Sequence, residues 1–470
     1  MLTRFEVDGF KNLLGVSVEL GPFTCVAGPN GVGKSNLFDA IRFLSLLADR
    51  KLMDAARHVR GTDEDPTDPR ELFGRGSLEP TMRFAAEMIL PPEVVDDFGR
   101  RARPTITFVR YELILAYLAP TAGERTGRLQ IRHEELTHIN LGDAHKHLRW
   151  PHRAHAFRNA VVTGRRSGGP FISTVPDEDG AVVIRTHQDG GSRGKPRPSP
   201  AHAAVATVIG ATNAVDDPTI FAVKQEMLGW RHFALEPAAI RRPDKYWEGR
   251  EHPSVSENGA HLPATLWSLG ADDAERAEVF ALVANQLSDL VPVGGIRVRP
   301  NDANRQYELE VRELDGTWLG ARALSEGMLR FLALGVIAAD PNSVRLLCME
   351  EPENGIHPSR LPAMLELLDT IAVDPTRAPD ADNPLRQVLV NTHSPGVVQL
   401  LEGAGRAADL LVAESVVVSS ERGPTRTLRF RHRRGTWRDD DLTPGVGPGI
   451  AAAYLTTAVG AQLPLAVADG

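Results

Sequence analysis

Cysteine is scarce in this sequence, with 2 among 470 residues. Both thiols, Cys25 and Cys348, stand within apolar runs. This usage gives no support for a disulfide-stapled scaffold and is typical of a reduced, cytoplasmic protein. We therefore expect both residues to be small members of the core.

An excess of positive charge and a long apolar run are also missing. The formal net charge is -8, so any nucleic-acid contact must be a local patch rather than the whole surface. Residues 1–8 alternate apolar and polar side chains, which predicts a strand and not a signal peptide. Residues 445–468 carry no charge but include Pro448 and Pro464. There we expect an Ala-rich helix packed on the domain, and no membrane span.

A complete phosphate-loop motif follows a short apolar run near the N-terminus. Residues 28–35 match G-x-x-x-x-G-K-S, residues 24–27 predict a buried strand, and apolar residues from Leu37 to Leu47 recur with helical spacing. A strand, a glycine loop and a helix N-terminus together aim backbone N–H groups at phosphates. The motif predicts a nucleoside triphosphate and Mg²⁺, with Lys34 on the β- and γ-phosphates and Ser35 on the metal. The predicted nucleotide contacts are Gly28, Pro29, Asn30, Gly31, Val32, Gly33, Lys34, Ser35 and Asn36.

Two later segments are predicted to be buried strands that end in polar residues. Residues 344–349 lead into Glu350 and Glu351, and residues 387–390 lead into Asn-Thr-His-Ser-Pro with His393. Adjacent carboxylates at a strand end suit an NTPase, because one can support Mg²⁺ and the other can act as base toward the attacking water. A histidine at the second strand end could sense the γ-phosphate.

The remaining pattern predicts a mixed α/β organisation. Strands are expected at 5–7, 16–20, 82–90, 105–118, 296–298 and 307–311, and mainly helices over 200–290. Residues 190–200 are rich in Gly and Pro and predict a mobile loop. Ser325 precedes an apolar helical face and is a predicted helix N-cap. Neither repeats nor a long heptad array is present.

The order of these segments resembles the ABC-type ATPases of the SMC/RecF/OLD group, often called AAA family ATPases. The order is phosphate loop, long insertion, L-S-E-G-M at 324–328, Glu-Glu-Pro-Glu and T-H-S-P. Residues 350–358 are especially similar to the OLD-type branch. Other similar segments are 10–12, 230–233, 235–237 with Arg241, 258–259 and 262–264. The resemblance covers nearly the whole chain and is weakest over 149–200 and after 414.

The resemblance implies an α/β fold: an ABC-type P-loop ATPase head with a mixed sheet and helices, and a large α+β insertion between the phosphate loop and the signature motif. We divide the chain accordingly into five segments. They are the N-terminal part of the head (1–75), a β-rich insertion with a mobile basic loop (76–200), a mainly helical insertion (201–292), the C-terminal part of the head (293–413), and a C-terminal hairpin with an Ala-rich tail (414–470).

The resemblance also implies a composite site, since two such heads dimerise head to tail and sandwich two ATP molecules. Ser325 and Gly327 of one subunit would then act on the triphosphate bound by the other. Residues 353–357 would lie between the two sites. The implied catalytic residues are Lys34, Ser325, Glu351 as base and His393 as switch histidine; the implied metal-binding residues are Ser35 and Glu350; Asn12 joins the nucleotide contacts.

Three departures from the common family pattern affect these roles. Glu350 stands where most ABC proteins have aspartate, which favours a water-mediated contact with Mg²⁺. Glu326 and Met328 replace glycine and glutamine of L-S-G-G-Q; an acid repels a γ-phosphate, so Glu326 is expected to face away or to slow turnover. The Q-loop glutamine is not placed, and Gln130 and Gln225 are its candidates.

Two basic clusters with interleaved aromatics are candidate contacts for DNA or RNA. The alternatives are a solvated face or a surface for an acidic protein. The first cluster comprises His145, Lys146, His147, Arg149, Trp150, His152, Arg153, His155, Arg158, Arg165 and Arg166. The second, on a predicted hairpin, comprises Arg426, Arg429, Arg431, Arg433, Arg434 and Arg438 with Trp437. The histidines lack a metal-ligand arrangement, so zinc is not expected.

The resemblance implies an ATP-hydrolysing switch that forms a homodimer or a higher homo-oligomer and acts with nucleic acid in a prokaryotic anti-phage system, similar to the PARIS, Septu or Gabija ATPases. Only 75 residues follow Pro395, which is short for the Toprim nuclease of many OLD relatives. A separate nuclease, Toprim-like protein or toxin is therefore the expected effector. A RecF-like DNA-repair ATPase is the alternative. A transporter ATPase is disfavoured by the insertion of over 200 residues before the signature.

Overall fold

The structure of the protein is a computed structural model that describes residues 1–62, 64–74, 79–121, 126–176, 181–190, 195–246, 253–439 and 445–456. The strands are β1 (Leu2–Asp8), β2 (Val16–Glu19), β3 (Phe23–Ala27), β4 (Thr81–Ile89), β5 (Val94–Val95), β6 (Arg101–Ala102), β7 (Phe108–Leu118), β8 (Arg128–His138), β9 (Ile172–Pro176), β10 (Val182–Thr186), β11 (Arg197–Pro200), β12 (Trp230–Phe233), β13 (Asp244–Lys245), β14 (Gly295–Asn301), β15 (Gln306–Arg312), β16 (Trp318–Gly320), β17 (Leu346–Glu350), β18 (Gln387–Thr392), β19 (Leu410–Ser420) and β20 (Gly423–His432).

The α-helices are α1 (Lys34–Leu47), α2 (Leu52–Arg57), α3 (Ala144–His147), α4 (Asn159–Val161), α5 (Val208–Ala211), α6 (Pro218–Leu228), α7 (Pro237–Ile240), α8 (Leu262–Ser268), α9 (Asp273–Ser288), α10 (Glu326–Ala339), α11 (Leu361–Ile371), α12 (Pro395–Gly403) and α13 (Ile450–Thr456). A π-helical turn at Ala154–Arg158 precedes α4.

A six-stranded core sheet carries the phosphate loop, in the order β12-β17-β18-β3-β19-β20. Its first five strands run parallel, and β20 pairs antiparallel with β19. Every residue of β3 and β18 is buried, as expected for central strands of a parallel sheet that is covered on both faces. Because the strands are parallel, the residues that follow β3, β17 and β18 meet at one edge of the sheet.

An eight-stranded antiparallel sheet lies across α1 from the core sheet, in the order β11-β10-β9-β8-β7-β4-β1-β2. One apolar core joins the two sheets through this helix. It includes Val26 and Leu389 of the core sheet, Phe38 and Phe43 of α1, and Phe84 of β4. The helix that begins at the phosphate loop is therefore held from both sides.

A second apolar core covers the other face of the core sheet. Leu347 of β17 and Val388 of β18 contact this core, to which α10 contributes Leu329 and α11 contributes Leu368. A small sheet of β13, β15, β14 and β16 lies beside α8 and α9 and belongs to the same core. Packing in this core therefore fixes the positions of α10 and of the ends of β17 and β18, which carry the polar motifs.

The predicted α/β fold class, with a mixed core sheet, helices and a large α+β insertion between the phosphate loop and the signature segment, is confirmed. The expected strands appear as β1, β2, β3, β4, β7, β14, β15, β17 and β18. Cys25 and Cys348 are buried and unpaired, as predicted. No helix within the described part of the chain has the length and the apolar composition that a membrane crossing requires.

One local prediction is wrong. Residues 197–200 were expected in a mobile loop but form β11, the edge strand that pairs with β10. Prolines fit there because an edge strand leaves one row of N–H positions without a ladder partner. Residues 191–194 of the expected loop, and residues 457–468 of the expected Ala-rich helix, lie outside the described residues.

The five-segment division remains a proposal. Its boundary after residue 75 separates β1 and β2 from β4, although these strands share one sheet. Its boundary after residue 413 falls within β19.

Candidate functional site

The phosphate loop is shaped by glycine and tied to Asn12. Gly33 has a φ of +104°, and a Cβ there would lie 2.4 Å from Nδ2 of Asn12. A side chain would therefore displace this amide. The Asn12 amide donates to the Val32 carbonyl at 3.0 Å and accepts from Asn36 at 2.7 Å. The predicted contact residue Asn12 thus lies directly against the loop.

The Lys34 ammonium is enclosed by the loop itself. It donates to the carbonyls of Gly28 at 2.6 Å and Pro29 at 2.9 Å. Burial lowers the pKa of Lys34, while the nearby carboxylates of Glu351, Glu353 and Glu350 act in the opposite direction. This ammonium and the N–H groups that begin α1 make the loop end of the site electropositive.

Glu350, the last residue of β17, is contacted on both carboxylate oxygens. The Ser35 hydroxyl donates to Oε2 at 2.9 Å, and Nε2 of His232 lies 3.1 Å from Oε1. Burial alone would raise the pKa of Glu350, but the His232 and Ser35 hydrogen bonds and the charge of Arg60 lower it. The carboxylate is therefore held ionised beside the loop.

Glu351 adopts a left-handed backbone with a φ of +46°. This conformation costs about 1 kcal/mol or more for a residue with a side chain. The carbonyl and the side-chain oxygen of Asn391 both accept from its N–H, at 3.1 and 3.2 Å. Its carboxylate contacts Nδ1 of His393 at 2.8 Å and accepts from Asn354 at 2.7 Å. The structure thus joins the predicted base and the predicted switch histidine.

The end of β18 bridges the loop and the acidic segment. The Thr392 hydroxyl donates to the buried carboxyl of Glu353, and the Thr392 carbonyl accepts from the Gly28 N–H at 3.1 Å. Burial raises the pKa of Glu353, although the Thr392 hydrogen bond opposes this shift. Glu353 is therefore buried within its own chain, where it contacts the end of β18.

The side-chain oxygen atoms of Ser35 and Glu350 are suitable ligands for a hard divalent cation. A hydroxyl and a carboxylate oxygen 2.9 Å apart are ligands that Mg²⁺ accepts, and it completes its shell with phosphate oxygens and water. Across the described ranges, no group of three or more His, Cys, Asp or Glu side chains could hold a metal ion by itself. A cation at this position would therefore depend on the nucleotide.

The signature segment begins α10 and stands apart from these contacts. Ser325 caps the helix by accepting from the Met328 N–H at 3.3 Å, and Ser325 and Glu326 are exposed. Gly327 is buried, and a Cβ there would lie 2.6 Å from the Gly355 carbonyl. In the part of the chain that the structure describes, no hydrogen bond joins Ser325 to the loop of its own chain.

Neither candidate for the Q-loop glutamine lies at the site. Gln130 is on β8 in the antiparallel sheet, and Gln225 is on α6. Among the described residues, the side chains of these two make no hydrogen bond to residues 28–36. The side chain that contacts Glu350 is His232, which sequence reasoning missed, although residues 230–233 were part of the resemblance.

A second missed group lies behind the loop. Asp39 of α1 is buried and accepts from Lys11 at 2.7 Å and from Arg60 at 2.7 Å. No motif linked these three residues, although residue 11 belongs to the Phe-Lys-Asn element. The two cations tie the N-terminal segment and the chain after α2 to the helix of the loop.

The two basic clusters differ in accessibility. In the first, Lys146, Arg149, Arg153, His155 and Arg165 are exposed, but Trp150 is buried and packs on Phe157. In the second, Arg431, Arg433 and Arg438 are buried. The interleaved Trp150 and these three arginines therefore cannot contact a nucleic acid, because they are structural. Arg426, Arg429 and Arg434 are exposed.

Parts of the chain are similar to SMC proteins. Over 80 residues it is 40% identical to Structural maintenance of chromosomes protein 1 of Schizosaccharomyces pombe, an alignment that spans 16% of this chain and 6% of that protein. A crystal structure of an Smc head bound to the C-winged helix domain of ScpA is 13% identical, with a TM-score of 0.44 over 92% of this chain and 98% of the other. The SMC head domain from Thermotoga maritima is 12% identical, with a TM-score of 0.35 over 91% and 97%.

A family model matches residues 23–99 and 236–399, which contain the phosphate loop, the signature segment, both strand-end carboxylates and His393. The family is described as "AAA domain, putative AbiEii toxin, Type IV TA system". Because the two matched segments make up just over half of the residues, the chain belongs to this family and is a P-loop ATPase.

Proposed function

We propose that the protein hydrolyses ATP at composite sites that form when two chains close head to tail around the nucleotide. The observation that carries this proposal is a half-site. Within one chain, Ser35 contacts Glu350 and Glu351 contacts His393, whereas Ser325 is exposed and separate. A second chain that supplied Ser325 would add hydrogen bonds to the triphosphate, so ATP would stabilise the closed dimer.

The side chains of the half-site support a specific division of labour. Lys34 would exchange the carbonyls of Gly28 and Pro29 for the β- and γ-phosphate oxygens. Glu351 would accept the proton of the water that attacks the γ-phosphorus, while His393 orients this carboxylate. A bound Mg²⁺, with Ser35 and Glu350 beside it, would neutralise charge on the phosphates.

We further propose that the dimer is a switch in a prokaryotic defence system, with a separate effector. The family description names a toxin of a toxin–antitoxin system, which supports this setting. The exposed basic residues of the first cluster, Lys146, Arg149, Arg153 and Arg165 among them, support a nucleic-acid trigger. Duplex DNA or RNA should then change the ATPase rate, and this response should weaken as salt rises.

The experiment that tests the dimer is mass determination by light scattering with ATP, with ADP and without nucleotide. A Glu351→Gln chain should have twice the mass of the monomer with ATP and should return to the smaller mass with ADP. A mass that does not depend on nucleotide would contradict the proposal.

Co-purification with the products of the neighbouring genes tests for the separate effector. A lone gene beside replication genes would instead favour a RecF-like repair role.

A further inference from the structure

We propose that His232 is a positioning residue that fixes the Glu350 carboxylate for the metal of the bound nucleotide. The inference rests on the proposed function, because it assigns a role within the same site. Nε2 of His232 lies 3.1 Å from Oε1 of Glu350. Among the described residues, neither Gln130 nor Gln225 makes a hydrogen bond to this carboxylate, which His232 contacts instead.

Strand pairing brings His232 to this place. β12 is the edge strand of the core sheet and runs parallel to β17, in a register that sets His232 beside Cys348. Residues two apart on a strand share a face, so Cys348 and Glu350 point to the same side. The His232 side chain is 14% exposed. Its contact with Glu350 is thus partly shielded from water, which strengthens a hydrogen bond.

The helix that follows the phosphate loop holds the imidazole from the other side. Phe38 packs edge-on against His232, with ring centroids 6.0 Å apart. Ser35 and Phe38 are three residues apart and share a face of α1. One helix therefore contacts Oε2 of Glu350 directly through Ser35 and reaches Oε1 through Phe38 and His232.

The length of the Glu350 side chain explains why a second contact is useful. A glutamate has one more rotatable bond than the aspartate expected at this position, so its carboxylate can occupy more rotamers. One donor at each oxygen selects a single orientation. The two oxygens keep further lone pairs, which can accept from water in a metal shell.

The test compares His232→Phe with His232→Gln in the full-length Glu351→Gln chain with ATP bound. Phenylalanine keeps the packing on Phe38 and removes the donor, whereas the glutamine amide keeps a donor. Mn²⁺ is titrated and followed by electron paramagnetic resonance. We expect His232→Phe to weaken Mn²⁺ binding about 10-fold or more, and His232→Gln to stay within about 3-fold of the parent.

The matched control is His133→Phe, which changes a strand histidine 3.7 Å from Glu135 in the antiparallel sheet. It should bind Mn²⁺ like the parent. Unchanged Mn²⁺ affinity in His232→Phe would overturn the inference, and so would an equal loss in both His232 variants, since the ring and not the donor would then matter. If His232→Phe does not fold, His232→Leu replaces it as the variant without a donor.

A fluorescent ATP analogue in EDTA separates this inference from the proposed function. The parent and both His232 variants should bind it equally, because the contact acts on the metal and not on the loop. Failure of the parent to bind the analogue both in EDTA and with Mg²⁺ would refute the proposed function. Binding by all variants without a change in Mn²⁺ affinity would refute the role of His232 alone.

Discussion

The phosphate-loop region and the signature segment of this chain differ in how far their side chains are already engaged. In the first, Lys34, Ser35, Glu350, Glu351 and His393 all have hydrogen-bond partners within the site. In the second, the side chain of Ser325 caps α10, and Glu326 is exposed. One chain thus brings the side chains of the proposed half-site together, whereas Ser325, the proposed γ-phosphate contact, lies on a separate surface.

This contrast has a physical origin in the sheet. Residues that follow β3, β17 and β18 are adjacent because these three strands are parallel neighbours. The start of α10 is held elsewhere, by Gly327 against Gly355 and by Arg241, which donates to the Leu324 carbonyl at 3.2 Å. Contacts within one chain hold both regions, so under the proposed function a second chain would meet a preformed surface.

The largest expected effect comes from Lys34→Ala. The variant removes the buried ammonium, and ATP affinity should fall by at least about 100-fold, or roughly 3 kcal/mol, because a charge-assisted contact is lost. Calorimetric titration with ATP measures it. Lys51→Ala is the control, since Lys51 is exposed and should bind as the parent does. Normal affinity in Lys34→Ala would remove the loop from the nucleotide site.

Glu351→Gln should slow turnover by about 10²–10⁴-fold while ATP stays bound, because the amide keeps the shape but cannot take the proton. Steady-state phosphate release and nucleotide retention measure the two quantities. Glu366→Gln changes an exposed residue of α11 and should leave both unchanged. Turnover at the parent rate in Glu351→Gln would mean that another group is the base.

A mixture of Lys34→Ala and Ser325→Asp chains tests the separation of the two regions directly. Aspartate keeps the helix cap but repels a phosphate, so each variant alone should be inactive. Random pairing gives mixed dimers with one intact site, and activity should return to about a quarter of the parent value if the signature acts across a two-fold dimer. An inactive mixture would place Ser325 in the site of its own chain.

Sequence reasoning predicted the strands and the helix that carry the proposed half-site, because its motifs encode local geometry. The residues from Gly28 to Ser35 specify a strand, a turn and a helix start, and the strand ends at Glu350 and Thr392 follow from their apolar runs. It missed β12, because Trp-Arg-His-Phe has no strand period of its own. Those residues form a strand only through pairing with β17.

Sequence reasoning also failed to predict that arginines of the second basic cluster are buried. The pattern that suggested a basic surface at residues 426–438 contains Arg431, whose guanidinium is paired with Glu414 at 2.8 Å with both side chains buried. Arg438 donates to the Glu19 carbonyl at 3.0 Å. Charge along a sequence does not reveal which arginines find a buried acceptor, since those partners lie on other strands.

The smallest expected effect is at Glu326, which follows the cap of α10 and is exposed. If α10 faces the partner's γ-phosphate, the Glu326 carboxylate repels the nucleotide. Glu326→Gln should then lower the ATP concentration at which half of the chains are dimeric by about 3-fold, or roughly 0.6 kcal/mol. The gain should shrink as salt rises, because exposed charges are screened. Light scattering across an ATP titration measures it, with Glu278→Gln on α9 as the control. A Glu326→Gln chain that needs more ATP would show that the carboxylate helps closure, which fits only if it pairs with a cation of the second chain.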